Sequence, residues 1–221
     1  MQLSKGAKRT DLHPDYAAIG NMHEELHEAS HPEAQREVPF KRVVSDYSTL
    51  SGRADFVFED RIDECKATFS KPAFLDAQKG KPSMAHLTQL VCYMMEFDLS
   101  RGRIVYGYFL KDRSGQLARR GTAAIDVAIV DDKVLVQGID SGYTIHDLTN
   151  TILQIDKWMQ TDEPAPRPAK EGYASACKYC QLAELCDRAD AEGLMVSEMK
   201  SEAIELVEAK VGPTPKPQKE K

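Results

Sequence analysis

Ser51-Gly52-Arg53-Ala54-Asp55-Phe56-Val57-Phe58, followed by Ile62-Asp63-Glu64-Cys65-Lys66-Ala67, decides how this chain is read. The two segments read as β-strands joined by the turn Glu59-Asp60-Arg61. On a strand, Glu64 and Lys66 share a face while Cys65 points the other way. The hairpin brings Asp55 close to both. Two carboxylates together can hold a hard divalent cation such as magnesium, which takes oxygen ligands and keeps several waters. A lysine beside them can orient or deprotonate an attacking water, or steady charge on a phosphate. That is the chemistry of phosphodiester hydrolysis. The plainer reading is a solvated strand face with a salt bridge. The neighbourhood favours the first. Gly52, ahead of the acidic strand, suits a tight approach. Phe56-Val57-Phe58 suggests a buried strand, which leaves the polar positions at its working end.

Asp55 with Glu64-x-Lys66, preceded by Gly52-Arg53-Ala54, resembles the PD-(D/E)xK nucleases. Gly20-Asn21-Met22-His23-Glu24 is similar to the Gly-x-x-His-Glu motif of their RecB-like branch. Gln89-Leu90-Val91-Cys92-Tyr93 resembles that branch's Gln-x-x-x-Tyr motif. Cys177-Lys178-Tyr179-Cys180 with Cys186 resembles the C-terminal cysteine triplet of its iron–sulfur members. Those members include the CRISPR-associated RecB-like exonuclease and the AddB-type helicase–nucleases. The four motifs follow the family's order across residues 20–186.

The resemblance implies an α/β fold with a restriction-endonuclease-like core, a mixed central β-sheet flanked by helices. It implies His23, Asp55, Glu64 and the main-chain carbonyl of Cys65 as ligands of Mg2+ or Mn2+. Lys66 would position the attacking water, and Gln89 and Tyr93 would contact DNA or steady Lys66. The implied substrate is DNA, single-stranded or with overhangs. The implied role is trimming DNA for CRISPR spacer acquisition beside the integrase proteins. A phage or repair RecB-like exonuclease fits the same residues.

Cys177, Cys180 and Cys186 are close enough in sequence to ligate an iron–sulfur cluster, by resemblance 4Fe-4S, or zinc as the fallback. Both normally want four ligands. In the iron–sulfur family the fourth is a cysteine near the N-terminus, and residues 1–22 hold none. Three explanations stay open: an N-terminal segment absent from this sequence, a different ligand such as His13 or Asp11, or a degenerate or zinc-bound cluster. Three structural or free cysteines are the plain alternative. Such a cluster would tie the C-terminal segment to the N-terminal helix, because metal binding is folding free energy.

At 221 residues the chain can bury a full core. Its formal charge of −6 argues against a general nucleic-acid coat, since nonspecific affinity comes from neutralising phosphates. Basic residues are local, at Lys5, Lys8 and Arg9, at Lys71, Lys79 and Lys81, and at Arg119 and Arg120. Each group alone reads as ordinary surface. No apolar run is long enough to span a membrane, and no signal peptide is legible. A cytoplasmic, reducing location is therefore expected, with cysteines that bind metal rather than pair.

Periodicity predicts a helix over residues 15–30, where His23 is the candidate ligand and His27 and His31 read as surface. Strands are expected over 35–44, with Pro39 at an edge or bulge, and over 50–58, 61–68, 103–110, 122–130 and 133–137. Helices are expected over 85–97, 143–159 and 190–211. Residues 70–83, rich in Lys, Gly and Pro, read as a loop. The domain reading is a nuclease core over 1–163, a linker, cysteine segment and helix over 164–211, and a disordered tail over 212–221. Two readings from other classes remain: a non-catalytic DNA- or partner-binding module, and a small zinc-binding regulatory protein in which Asp55, Glu64 and Lys66 are incidental.

Overall fold

The motif hairpin supplies two adjacent strands of a seven-stranded sheet in a computed structural model that describes residues 14–161. Its strands are β1 (Gln35–Val43), β2 (Thr49–Val57), β3 (Ile62–Thr68), β4 (Arg101–Lys111), β5 (Leu117–Val130), β6 (Lys133–Val136) and β7 (Ile139–Thr144). They lie in chain order across the sheet, and every neighbouring pair is antiparallel except β3 and β4. A parallel pair needs a long crossover. Here the crossover carries α2 (Lys71–Gln78) and α3 (Met84–Glu96). The expected mixed α/β architecture, a mixed sheet flanked by helices, is the one observed.

Alternation along β4 assigns the helices to faces. A Cβ on Gly102 would meet Met94 and Leu90 of α3, whereas one on Gly107 would meet His23 of α1 (Pro14–Glu28). Positions 102 and 107 differ in parity, so α1 covers one face and α3 the other. Phe74 of α2 stacks on Tyr108, which shares the face of Gly102, so α2 lies beside α3. The larger core is on the α3 side, where Leu90, Val91, Met94, Ile104 and Ile125 are fully buried. Truncating Leu90 or Ile104 to alanine would cost about 2–5 kcal/mol. Leu87, Leu90, Val91 and Met94 follow helical spacing, which is why α3 was legible.

Three expectations change. Residues 70–83 contain a helix, α2, because Ser70 caps it through Ala73 N–H and Pro72 sits in its first turn. Phe74 and Ala77 give it a small buried face. Residues 139–144, the last two of which were expected to open a helix, form edge strand β7, whose residues are all exposed or half-buried and so carried no apolar signal. Helix α4 (Ile145–Gln160) starts after it. His27 is buried rather than on the surface, because its ring bonds Asp63 across to β3.

Pro39 does lie on an edge strand, and nearby Glu37 has a positive φ of 52°. The β1–β2 pairing steps there from Arg36 with Phe56 to Val38 with Ala54, in unchanged register, and leaves Glu37 and Asp55 out of the ladder. The described residues up to 153 form one compact unit that carries the sheet. Of the second unit, only residues 154–161, the end of α4, are described. Among the described residues no helix is long and apolar enough to cross a membrane. The cysteine segment, the expected helix over 190–211 and the tail lie outside the described residues.

Candidate active site

Asp55, Glu64 and Lys66 meet where β2 and β3 splay apart. Their ladder holds only Phe56 to Asp63 and Val57 to Ile62. Beyond it, the Asp55 carboxylate takes the place of a strand partner: its Oδ2 accepts the Cys65 N–H at 2.8 Å. Lys66 Nζ donates to Glu64 Oε1 at 2.5 Å along one strand face. Glu64 is fully buried, and its second oxygen, Oε2, has no hydrogen-bond partner among the described residues.

A buried carboxylate with an unfilled oxygen is costly as an anion. Burial, then the neighbouring Asp55 charge, pushes Glu64 up to about 7, against the pull of Lys66. Asp55 is also raised, first by burial, with Lys66 and the Cys65 N–H opposing. Glu24 of α1 adds negative charge to both. Two adjacent carboxylates that resist ionising are what a divalent cation would relieve, and their oxygens are the hard donors magnesium prefers. Asp55 and Glu64 are thus the residues that fit a cation, which would keep waters for its remaining positions. Among the described residues, no three His, Cys, Asp or Glu side chains form a closed metal-holding group.

The remaining expected residues divide. Cys65 turns its side chain away, into Phe56, Phe58 and Val105, and burial pushes its thiol up. It meets the acidic pair through its main chain. Tyr93 and Gln89 stand over the pair from α3. Gln89 Nε2 donates to Tyr93 Oη at 2.9 Å. Burial and then the Glu64 charge raise the Tyr93 hydroxyl. Gly52 is what lets Tyr93 in: a Cβ there would lie 2.6 Å from the Phe40 ring and 2.9 Å from the Tyr93 ring.

His23 is not brought to the pair. Its ring lies against Gly107 and Phe109, and Nε2 donates to the Val105 carbonyl at 2.9 Å. Burial lowers it, and the charges that act on it are those of Arg119 and His27. Its Nδ1 is buried without a partner. The α1 residue whose charge reaches Asp55 and Glu64 is the next one, Glu24. Cys177, Cys180 and Cys186 lie outside the described residues.

Sequence reasoning passed over His86. It stands one turn before Gln89 on α3, and the spacing His86, Gln89, Tyr93 was the signal that could have found it. It also missed Asp63, which on the opposite face of β3 holds His27 at 3.1 Å and Arg61 at 3.0 Å.

No family model and no curated protein matches the chain. Two solved structures are similar to it. The structure of SSO0001 is 20% identical over 79% of this chain and 71% of that one, with a TM-score of 0.45. The phage related exonuclease from Haemophilus somnus 129PT is 12% identical over 69% and 72%, with a TM-score of 0.40. Likenesses at this level decide nothing about activity, which is argued from the residues of the site.

Proposed function

We infer that the chain is a metal-dependent deoxyribonuclease that hydrolyses phosphodiesters at Asp55, Glu64 and Lys66. The observation that carries this is the unpartnered, fully buried Glu64 Oε2 beside Asp55, with Lys66 paired to the other oxygen of the same carboxylate. A structural salt bridge would fill that oxygen. Asp55 and Glu64 would hold Mg2+ or Mn2+. When bound, the cation supplies Lewis acidity to the phosphate and lowers the pKa of the attacking water.

The chain's own groups do the rest. Lys66 exchanges Glu64 Oε1 for the attacking water and orients it. Asp55 is held rigid by the Cys65 N–H, so its second oxygen keeps one direction. Tyr93 and Gln89 close the α3 side and exclude bulk solvent. The Glu24 charge, which reaches Asp55 and Glu64, adds to the negative potential that favours a cation there.

The finer reading rests on the motif resemblance alone. It is a cytoplasmic exonuclease on DNA with single-stranded ends, trimming DNA for CRISPR spacer acquisition, with Cys177, Cys180 and Cys186 holding an iron–sulfur cluster or zinc. The phage or repair exonuclease is its alternative. Digestion of end-labelled single- and double-stranded DNA in Mn2+ tests the activity. The wild type should shorten the label and Lys66→Ala should not. Equal cleavage by both would remove Lys66 from the chemistry, and no cleavage by either would leave the binding-module reading.

A further inference from the structure

Residue 106 faces Lys66 directly in the parallel register of β3 and β4. It is Tyr106, buried, and its hydroxyl lies 2.8 Å from His86 Nδ1. The Tyr106 hydroxyl belongs to a buried residue and needs an acceptor for its one proton, and His86 Nδ1 stands at hydrogen-bond distance to take it. His86 is then the tautomer that carries its hydrogen on Nε2.

That outer nitrogen is neither bonded by any described residue nor among the buried unpartnered atoms, so it is open to a ligand. Burial, and then the nearby Lys66 ammonium, keep the ring neutral, with a pKa lowered to about 4. Ser83 caps α3 by accepting the His86 N–H at 3.3 Å, which fixes the ring's root. Cap, tyrosine and histidine form one chain of bonds that ends in a single aimed N–H beside Lys66.

We propose that His86 Nε2–H donates a hydrogen bond to a non-bridging phosphate oxygen of the DNA strand held at Lys66. This rests on the reading of Asp55, Glu64 and Lys66 as a nuclease site and adds a substrate contact to it. A neutral donor suits this place. A second cation beside Lys66 would repel it and compete for Glu64, whereas a neutral N–H stabilises phosphate charge without disturbing the ion pair.

Side-chain geometry provides the test. The amide nitrogen of glutamine reproduces Nε2–H, whereas asparagine reaches only the inner position, where its Oδ1 can accept the Tyr106 hydroxyl. Cleavage of a labelled oligonucleotide in Mn2+ should fall on the order of 10²-fold in His86→Asn and His86→Ala. His86→Gln should recover most of that rate. A purely structural role reverses the order, because asparagine keeps the Tyr106 bond and glutamine loses it. Recovery by asparagine, or equal rates in all variants, overturns the assignment.

Anisotropy of the same labelled oligonucleotide, measured in EDTA, separates this assignment from the nuclease reading. A wild type that binds but never cleaves removes the nuclease reading. The His86 contact then stands only if asparagine weakens binding and glutamine restores it. Unchanged affinity in both variants overturns it there too.

Discussion

Asp63 and Glu64 are neighbours on β3, equally buried, and they meet opposite fates. Asp63 faces α1, where His27 and Arg61 fill its two oxygens. Those bonds hold its carboxyl below the usual range despite burial. Glu64 faces α3, where Lys66 fills one oxygen and none of the described residues fills the other. Burial and Asp55 push it up to about 7. The same strand thus carries a completed polar network on one face and an incomplete one on the other. A completed network holds structure, while an incomplete one holds a place for something else.

The largest effect expected from this contrast is on catalysis. Glu64→Ala should lower Mn2+-dependent DNA cleavage on the order of 10³-fold, about 4 kcal/mol of barrier. Circular dichroism should show the fold intact. Asp63→Ala should do the reverse kind of damage. It leaves Arg61 and His27 facing a buried gap, so urea unfolding should show a loss of roughly 3 kcal/mol. A mutant that cleaves at the wild-type rate without being destabilised would break the comparison.

Next in size is Gly52→Ala. Its methyl would press on the Phe40 and Tyr93 rings, both held in the core, at a cost of about 1–3 kcal/mol. Displacing Tyr93 should also slow cleavage. Loss of stability without loss of rate would show that Tyr93 only packs.

The smallest effect is the pH dependence of stability in EDTA. Glu64 has a raised pKa in the folded state, so its contribution is full below its reference value of 4.5 and is lost as pH rises through about 7. Asp63 has a lowered one, so its contribution is present above 3.8 and is lost as pH falls through its depressed value. His86 and His23, both lowered, act in the opposite sense over that window, so the Glu64 contribution is read as a difference. Between pH 4.5 and 7 the urea midpoint of the wild type should fall relative to that of Glu64→Gln, and Asp63→Asn should weaken only the acid limb.

The letters of the chain reveal one side of this contrast better than the other. Period two on β3 put Glu64 and Lys66 on a common face and Cys65 on the other, and the structure has them so. Gly52 read as a close approach, and the Phe40 and Tyr93 rings fill the space beside it. The helical stripe of α3 placed Gln89 and Tyr93 together. What stayed hidden depends on pairs distant in sequence. His27 and Asp63 are 36 residues apart, and nothing local shows that one buries the other. His86 on α3 and Tyr106 on β4 come from different elements and meet only when the helix packs on the sheet. Helix α2 was masked by Lys, Gly and Pro on its flanks, and β7 by having no buried residue. His23 carries a motif letter, but its ring turns toward Val105, which the motif alone does not disclose.

Calorimetric titration of Mn2+ into the metal-free wild type, Glu64→Gln and Asp63→Asn tests the central contrast most directly. The account predicts saturable binding to the wild type and to folded Asp63→Asn, and none to Glu64→Gln. Equal binding by Glu64→Gln and the wild type would contradict it, because the open oxygen of Glu64 would then not be the place where a cation is held.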